Sequence, residues 1–466
     1  MMKYRKNTQR TCKVSQRKQS NLTKYNSANL CESLRKLCDT LRYNILTATK
    51  LHNTKYNSAN LCESLRKLCD TLRYNIYSEP LQNFYETFVK PSRYFALQLQ
   101  IVIILLITSC ASENYSDLIE TNTTLNLKFN TYQTGTNTSA RIGLDWALSQ
   151  IGASKTVASF NGITQQENIF TIDYEQLGFN ENAKNQLEKL HQKIKNSQEY
   201  KTTNAIDLGR YVALIIGASE HYYKINNVPE NINVILDNYT LQPSKGYVDN
   251  SLISNKHRIV EFSEQNELNQ LFLATEVAPN TGEILEYETI EIMKNGHLKF
   301  GIFNANGIRK NNATPTISSA GKPGKCMWCH ESKISQLFSV QNDFSGYLSY
   351  LELQDTLVNF NENLIEKQLA LFNGVDFSQH QNHTKMELLY ISFMEPSIEV
   401  LSKEWNLSIS QTQNKLQNLT THLHEEFAFL GELYHRNEVE EFAPFTSLAI
   451  STSVREASVI EVNYLE

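Results

Sequence analysis

Cys326-Met327-Trp328-Cys329-His330 is the stretch around which the C-terminal part of this chain is organised. It brings two thiols and an imidazole within five positions, here called the C-x-x-C-H motif. Helical patterns follow at about 347–372, 379–394, 396–405, 408–417 and 419–435, so the segment 311–466 is predicted to be mainly helical. Glu331 to Phe338 is predicted to begin a helix that carries His330 at its N-terminal edge.

The spacing of the motif resembles the attachment segment of the c-type cytochromes. In that family the two cysteines form thioethers with the vinyl groups of haem, and the histidine is the proximal ligand of the iron. The resemblance covers residues 326–330 and their helical setting. It implies one covalent haem c per chain, attached through Cys326 and Cys329, with His330 as the proximal iron ligand.

The sixth iron ligand implied by this resemblance is a methionine, which favours electron transfer. Met394 is the first candidate, because it lies in Ser392-Phe393-Met394-Glu395-Pro396, where the proline ends a helix and a loop would present the sulfur. Met386 is the second candidate. His380 or His383 would instead give bis-histidine ligation, and an open sixth position would permit peroxidase or gas-binding chemistry.

Other interpretations of the motif remain open. Its three side chains could be zinc ligands, with the pair His380/His383 or the pair His422/His424 completing a tetrahedral site. The two cysteines could also be a disulfide staple or a chance pair of thiols. A thioredoxin-like dithiol is less favoured, because no strand-then-helix unit is visible around them.

An export segment precedes the body of the chain. Lys90 to Arg93 is basic, Tyr94–Ile107 is an apolar run too short for a comfortable transmembrane helix, and Thr108-Ser109-Cys110 follows. Residues 106–110 resemble a bacterial lipobox. The resemblance implies a lipoprotein signal peptide over 90–110 and acylation of Cys110. The body of the protein would then lie in the periplasm, anchored to the outer membrane rather than to the inner membrane. An uncleaved signal anchor is the alternative, and residues 111–123 are predicted to be a tether.

A basic leader occupies residues 1–89. Residues 23–45 and 54–76 are identical, with a period of 31 residues, which favours an over-extended gene start over a short coiled-coil segment. Residues 1–93 contain 18 Lys or Arg and 6 Asp or Glu, whereas residues 94–466 contain 26 Lys or Arg and 43 Asp or Glu. An acidic body excludes nucleic acid as an expected partner, because phosphate binding needs a basic face.

Residues 124–310 are predicted to form a mixed domain with helices first and antiparallel strands later. Helical spacing covers 139–151, 183–194 and 205–223, whereas strand patterns cover 124–129, 233–236, 258–262, 271–275, 287–292 and 298–303. Pro279 to Gly282 is the predicted hairpin turn. The whole chain is therefore assigned to the α+β class. This segment contains no Gly-rich phosphate loop, no G-x-S-x-G elbow and no H-E-x-x-H zinc helix.

The predicted function combines the motif with the export segment. The chain is expected to be a lipid-anchored c-type haem protein that passes single electrons to a redox partner protein. The 124–310 domain would dock that partner or shape the haem edge. The alternatives are a non-redox envelope lipoprotein with a zinc or disulfide staple and, third, a haem peroxidase.

Overall fold

The computed structural model describes residues 123–132, 135–154, 162–265, 267–371, 375–378 and 382–466. The predicted leader, the signal peptide with Cys110, and the predicted tether up to residue 122 lie outside these residues. His380 also lies outside them.

The strands form two sheets. In chain order they are β1 (Thr124–Lys128), β2 (Ile163–Gln166), β3 (Ile169–Asp173), β4 (Ile206–Asp207), β5 (Gly246–Val248), β6 (His257–Phe262), β7 (Leu271–Val277), β8 (Ile284–Ile292) and β9 (Leu298–Asn304). The first sheet has the order β2-β3-β1-β4, and the second is an antiparallel meander in the order β5-β6-β7-β8-β9. In β1 the alternate residues Leu125 and Leu127 are buried, as a half-buried strand requires.

Helices connect and cover the sheets. In chain order they are α1 (Asn137–Gln150), α2 (Glu181–Asn196), α3 (Gln198–Thr203), α4 (Leu208–Val212), α5 (Ser219–Ile225), α6 (Asn233–Leu236), α7 (Pro323–His330), α8 (Tyr350–Leu369), α9 (Asn382–Met394), α10 (Ile398–Trp405), α11 (Ile409–Leu416) and α12 (Arg436–Val439). A π-helical turn, Ala213–Gly217, lies between α4 and α5. Within the described residues, none of these helices has both the length and the apolar character needed to cross a membrane.

One face of the second sheet is divided into an apolar end and a charged end. The pairings Phe262↔Phe272, Phe272↔Ile290 and Ile290↔Phe300 place four apolar side chains in one row. Side chains an even number of residues apart on a strand point to the same face of the sheet. Further along the same strands, the side chains on this face are charged. This charged end of the sheet consists of Arg258, Glu276, Glu286 and Glu288.

The segments before and after residue 310 pack together. Helix α9 packs against α1 and α4, and α7 packs against β9. The main hydrophobic core accordingly contains both Leu144 and Leu389. All described residues fall within one compact unit, Ile119–Glu466.

The predicted α+β class is confirmed, since antiparallel sheets are followed by a largely helical C-terminal segment. Two element predictions away from the C-x-x-C-H motif are wrong. Residues 233–236 form a helical turn, α6, because a four-residue apolar run fits either structure and the Asn231 side chain here accepts a hydrogen bond from the Asn233 amide. Residues 419–435 are not one helix, because His422 and Leu433 pair as an antiparallel bridge and Gly431 has a φ of 81°.

Candidate functional site

Helix α7 carries the whole C-x-x-C-H motif and ends with it. Pro323 occupies the first turn, where its fixed φ and missing amide hydrogen cost nothing. The helix stops at His330 because Glu331 adopts a left-handed φ of 51° and donates its amide hydrogen to the Met327 carbonyl at 2.8 Å. The prediction that a helix begins after the motif is therefore wrong, since residues 331–338 form a loop.

The three functional side chains of the motif lie on one face of α7. Cys326, Cys329 and His330 occupy positions i, i+3 and i+4, which are neighbours on a helix surface. All three line the same cavity. Met327 instead is fully buried in the main core, and Trp328 lies 4.5 Å from the Arg455 guanidinium. One face of α7 thus carries the residues that line the cavity, and the other residues of the motif pack the helix against the rest of the protein.

The cavity lies between α7 and the second sheet and has a volume of about 110 Å³. Most of its sheet wall comes from the apolar end and includes Phe272, Ile290 and Phe300. Leu337 and Leu357, from the loop after α7 and from α8, form part of the remaining wall. A mostly apolar cavity with a few polar groups is the usual environment of a bound cofactor or small ligand.

His330 is oriented by a hydrogen bond to the backbone. Its Nδ1 lies 3.2 Å from the Lys333 carbonyl oxygen, so Nδ1 carries the hydrogen and Nε2 carries the free lone pair. Burial lowers the pKa of His330 to about 4, although the Lys333 carbonyl opposes this effect. The imidazole is therefore neutral near pH 7, which is the form that binds metal ions, and a backbone acceptor on the second nitrogen is the common support for such a ligand.

The two thiols are free and protonated. No disulfide joins Cys326 and Cys329. Burial raises the pKa of the Cys326 thiol well above its ordinary value, and burial also raises the pKa of Cys329. A dithiol redox site needs a lowered cysteine pKa, because the thiolate is the reactive form. The environment of these cysteines therefore does not favour a thioredoxin-like reaction.

Arg258 and Glu288 also line the cavity, although the sequence reasoning did not select them. The Arg258 guanidinium donates through Nη2 to Glu288 at 2.9 Å and through Nε to Glu276. Burial raises the pKa of Glu276 to about 7 against the lowering effect of Arg258. The available signal in the sequence was the alternation of β6 and β8, which places these charged residues on the same face as buried apolar ones.

Met394 lies apart from this arrangement. It is the last residue of α9, half-buried against the main core. It is not among the residues that line the cavity, and neither is the second candidate, Met386, which is buried in the same core. The structure brings together Cys326, Cys329 and His330 and does not place Met394 with them, so its role as distal ligand stays a prediction.

The zinc interpretation lacks further ligands in the structure. Within the described residues, no group of three or more Cys, His, Asp or Glu side chains is arranged to hold a metal ion. His383 is buried near Glu387, with 3.5 Å between Nε2 and Oε1. His422 contacts Glu395 at 2.7 Å, and neither histidine lines the cavity of the motif.

Covalent haem fits the donor set of this site. Two thiols and a neutral imidazole share one helix face at an apolar cavity, and the imidazole is held by its second nitrogen. The cavity is smaller than the roughly 300–1,000 Å³ of pockets that enclose drug-sized ligands. A porphyrin would therefore need the loop of residues 331–338 to move outward or would extend from the cavity into solvent.

Comparisons of the chain with protein family models, curated proteins and solved structures find no match. Cys326, Cys329 and His330 are accordingly assigned to the candidate site from their geometry.

Proposed function

We propose that this chain is a c-type haem protein of the bacterial cell envelope that transfers single electrons to and from a redox partner protein. The observation that carries the proposal is the shared cavity of Cys326, Cys329 and His330. Acylation of Cys110 would anchor the protein at the membrane, with the body in the periplasm. Haem supplies an iron that alternates between the ferrous and ferric states.

The residues around the cavity have distinct roles in this proposal. Cys326 and Cys329 would hold the cofactor covalently through their sulfur atoms, and His330 would offer Nε2 to the iron. The Lys333 carbonyl fixes the imidazole orientation by accepting the Nδ1 hydrogen. Phe300, whose ring centroid lies 5.9 Å from that of His330, restricts water on this side of the site. An apolar surrounding of this kind tunes the redox potential, since burial disfavours the more charged oxidation state.

The experiment is expression of the full chain in a bacterium that has haem-maturation machinery, followed by a denaturing gel stained for haem. Wild type should give a haem-stained band that survives denaturation. The double variant Cys326→Ala/Cys329→Ala should lose it, because both thioether bonds are removed. Met327→Leu is the matched control and should keep the band, since Met327 points into the core rather than the cavity.

The same preparation tests the anchor and the alternatives. Metabolic labelling with a radioactive fatty acid should label wild type but not Cys110→Ser if Cys110 is acylated, and both proteins should retain covalent haem. Circular dichroism first establishes that each sample is folded. A folded wild type without covalent haem would refute the proposal, and metal analysis of that sample would then show whether zinc is bound instead.

A further inference from the structure

A second, smaller cavity lies between β4, α4, α9 and α10, apart from the C-x-x-C-H motif. Its volume is about 10 Å³, which is close to the space that a single water molecule needs. Its polar lining consists of Asn130, Asp207 and Ser392. The other lining residues are Phe129, Gly209, Leu389, Phe393 and Val400, none of which lines the cavity of the motif.

The polar side chains of this cavity can accept but have little left to donate. Asn130 donates through Nδ2 to Asp207 Oδ2 at 2.7 Å, because an ionised carboxylate only accepts. The carbonyl oxygen of the same amide, Asn130 Oδ1, is buried and has no hydrogen-bond partner, and the residue is only 6% exposed. The Ser392 hydroxyl donates its one hydrogen to the Leu388 carbonyl oxygen at 2.5 Å. Oxygen atoms of this kind are the ligands that hard cations prefer.

The buried charges next to this cavity do not balance. Arg210 Nε lies 3.1 Å from Glu199, and Arg436 makes two contacts of 2.9 Å with Glu404. All four of these side chains are almost fully buried. Asp207 is buried as well, but within the part of the chain that the structure describes its carboxylate accepts from the Arg210 backbone amide, at 3.0 Å, rather than from a guanidinium. Three buried carboxylates therefore accompany two guanidinium groups.

A fourth carboxylate adds to this excess of negative charge. Glu440 lies 2.6 Å from Arg210 Nη2, and its side chain is partly exposed, so water screens its charge. Asp207 has no such screening, because it is enclosed between β4, α4 and the core. A buried carboxylate without a cation is costly, so it either takes up a proton or acquires a counter-ion.

We infer that this cavity binds one sodium ion through Asn130 Oδ1, the Asp207 carboxylate and the Ser392 hydroxyl oxygen. One monovalent cation matches the one buried carboxylate that lacks a guanidinium partner. A magnesium ion usually keeps several of its waters, for which a cavity of about 10 Å³ has no room. The inference goes beyond the proposed function and does not depend on haem.

The first test uses the wild-type full chain at pH 8. Burial raises the pKa of Asp207 to about 6, so the carboxylate is ionised at this pH. Thermal unfolding is recorded at a constant chloride concentration while choline, which is too large for the cavity, is replaced stepwise by sodium. The melting temperature should rise by roughly 2–5 °C when sodium reaches ten times its dissociation constant. Equal melting temperatures in choline and in sodium would overturn the inference and leave an ordered water only.

The second test repeats the sodium titration with variants of the lining residues. Asp207→Asn removes the charge but keeps a side chain that can cap α4, and it should abolish the sodium dependence. Asn130→Ala should raise the sodium concentration needed for the same shift by at least tenfold, because the carbonyl ligand is lost. Asp145→Asn is the matched control, since Asp145 is a buried carboxylate that does not line the cavity, and it should respond to sodium as wild type does.

Ser392→Ala covers the case in which Asp207→Asn does not fold. It removes one oxygen from the cavity and places a good helix former in α9, so the protein should fold and bind sodium more weakly. A wild-type sodium response in both Asn130→Ala and Ser392→Ala would exclude this cavity as the site. Neither test needs covalent haem, so failure here leaves the proposed function unaffected.

Discussion

The contact between His330 and the Lys333 carbonyl shows how one hydrogen bond decides what a side chain can do. Without it, either ring nitrogen could carry the hydrogen, and the lone pair would have no fixed direction. The loop after α7 turns back through the left-handed Glu331 and Ser332, which have φ values of 51° and 89°. This turn brings the Lys333 carbonyl to 3.2 Å from Nδ1. The local backbone therefore fixes the hydrogen on Nδ1 and the lone pair on Nε2.

Asp145 offers a test of electrostatics at a single residue. It is buried on α1, and its carboxylate oxygens lie 3.0 and 3.1 Å from Arg141 Nε. Burial raises the pKa of Asp145 to about 7, although Arg141 opposes the rise. The folded protein therefore holds this proton more tightly than the unfolded chain. The resulting stability is present below about pH 4 and is lost as the pH rises through about 7.

Between about pH 5 and about pH 8, the free energy of unfolding of the wild type should fall by roughly 2–3 kcal/mol more than that of the Asp145→Asn variant. Urea unfolding at both pH values measures the difference. Glu181→Gln is the control, because Glu181 is an exposed residue in the first turn of α2, and it should follow wild type. Identical pH dependence in Asp145→Asn and wild type would show that the buried carboxyl does not titrate as described.

The site residues could be predicted from the sequence only where they are close together in the chain. Cys326, Cys329 and His330 fall within five positions, so any helix brings them to one face. Arg258 and Glu288 reach the same cavity from two different strands. Their positions depend on the pairing Arg258↔Glu276 and Ala274↔Glu288, and a single sequence does not reveal strand register.

At the level of elements, two close helix crossings hold α9 in the core. Gly143 on α1 and Gly209 on α4 both face α9 and allow its backbone to approach. A Cβ atom on Gly143 would lie 2.6 Å from the Lys385 carbonyl oxygen. These contacts join helices from the two ends of the described chain, so small side chains are needed at the crossings.

Gly143→Ala should destabilise the protein by roughly 1–3 kcal/mol, because the added methyl group overpacks the crossing. In an exposed helix interior the same substitution would stabilise by roughly 1 kcal/mol, so the expected sign is opposite to that of helix propensity. Thermal unfolding measures the effect. Lys193→Ala, on the exposed side of α2, is the control and should change stability by less than roughly 0.5 kcal/mol. A higher melting temperature for Gly143→Ala would contradict the described crossing.

Long, regular elements were predictable, whereas short ones and their ends were not. The strands β6 to β9 and the helices α1, α2 and α8 follow clear periodicities, and the structure confirms them. The start of α7 was missed although Pro323 is a typical first-turn residue, because eight residues give only two turns of periodicity. Residues 419–435 contain apolar positions at helical spacing, but tertiary pairing of His422 with Leu433 overrides them.

Across the whole molecule, the C-terminal tail, defined here as residues 444–466, connects distant parts of the fold. Val454 packs against Gly217 and Gly324, and the Tyr464 amide donates to His221 Nε2 at 2.8 Å. Lys322, at the start of α7, is fully buried and donates to Glu461 of the tail at 2.8 Å. The tail thus packs behind the helix that carries the motif.

Lys322→Ala should destabilise the protein by roughly 3 kcal/mol, because it leaves Glu461 without its buried cation. Lys325→Ala is the matched control on the same helix. Its partner Glu456 is largely exposed, so this substitution should cost less than roughly 1 kcal/mol. Chemical unfolding of the three proteins compares the two lysines. Equal losses in the free energy of unfolding for both variants would mean that the buried Lys322–Glu461 pair does not hold the tail against α7.

The position of the tail also has a consequence for the order of events during synthesis. Residues 451–465 are made after residues 326–330, so α7 lacks its rear packing while the chain is still growing. During that interval Cys326 and Cys329 are not yet enclosed by the finished fold, and an enzyme that modifies thiols has access to them. Closure of the tail then ends this period, and covalent attachment of haem, as proposed, would have to precede it.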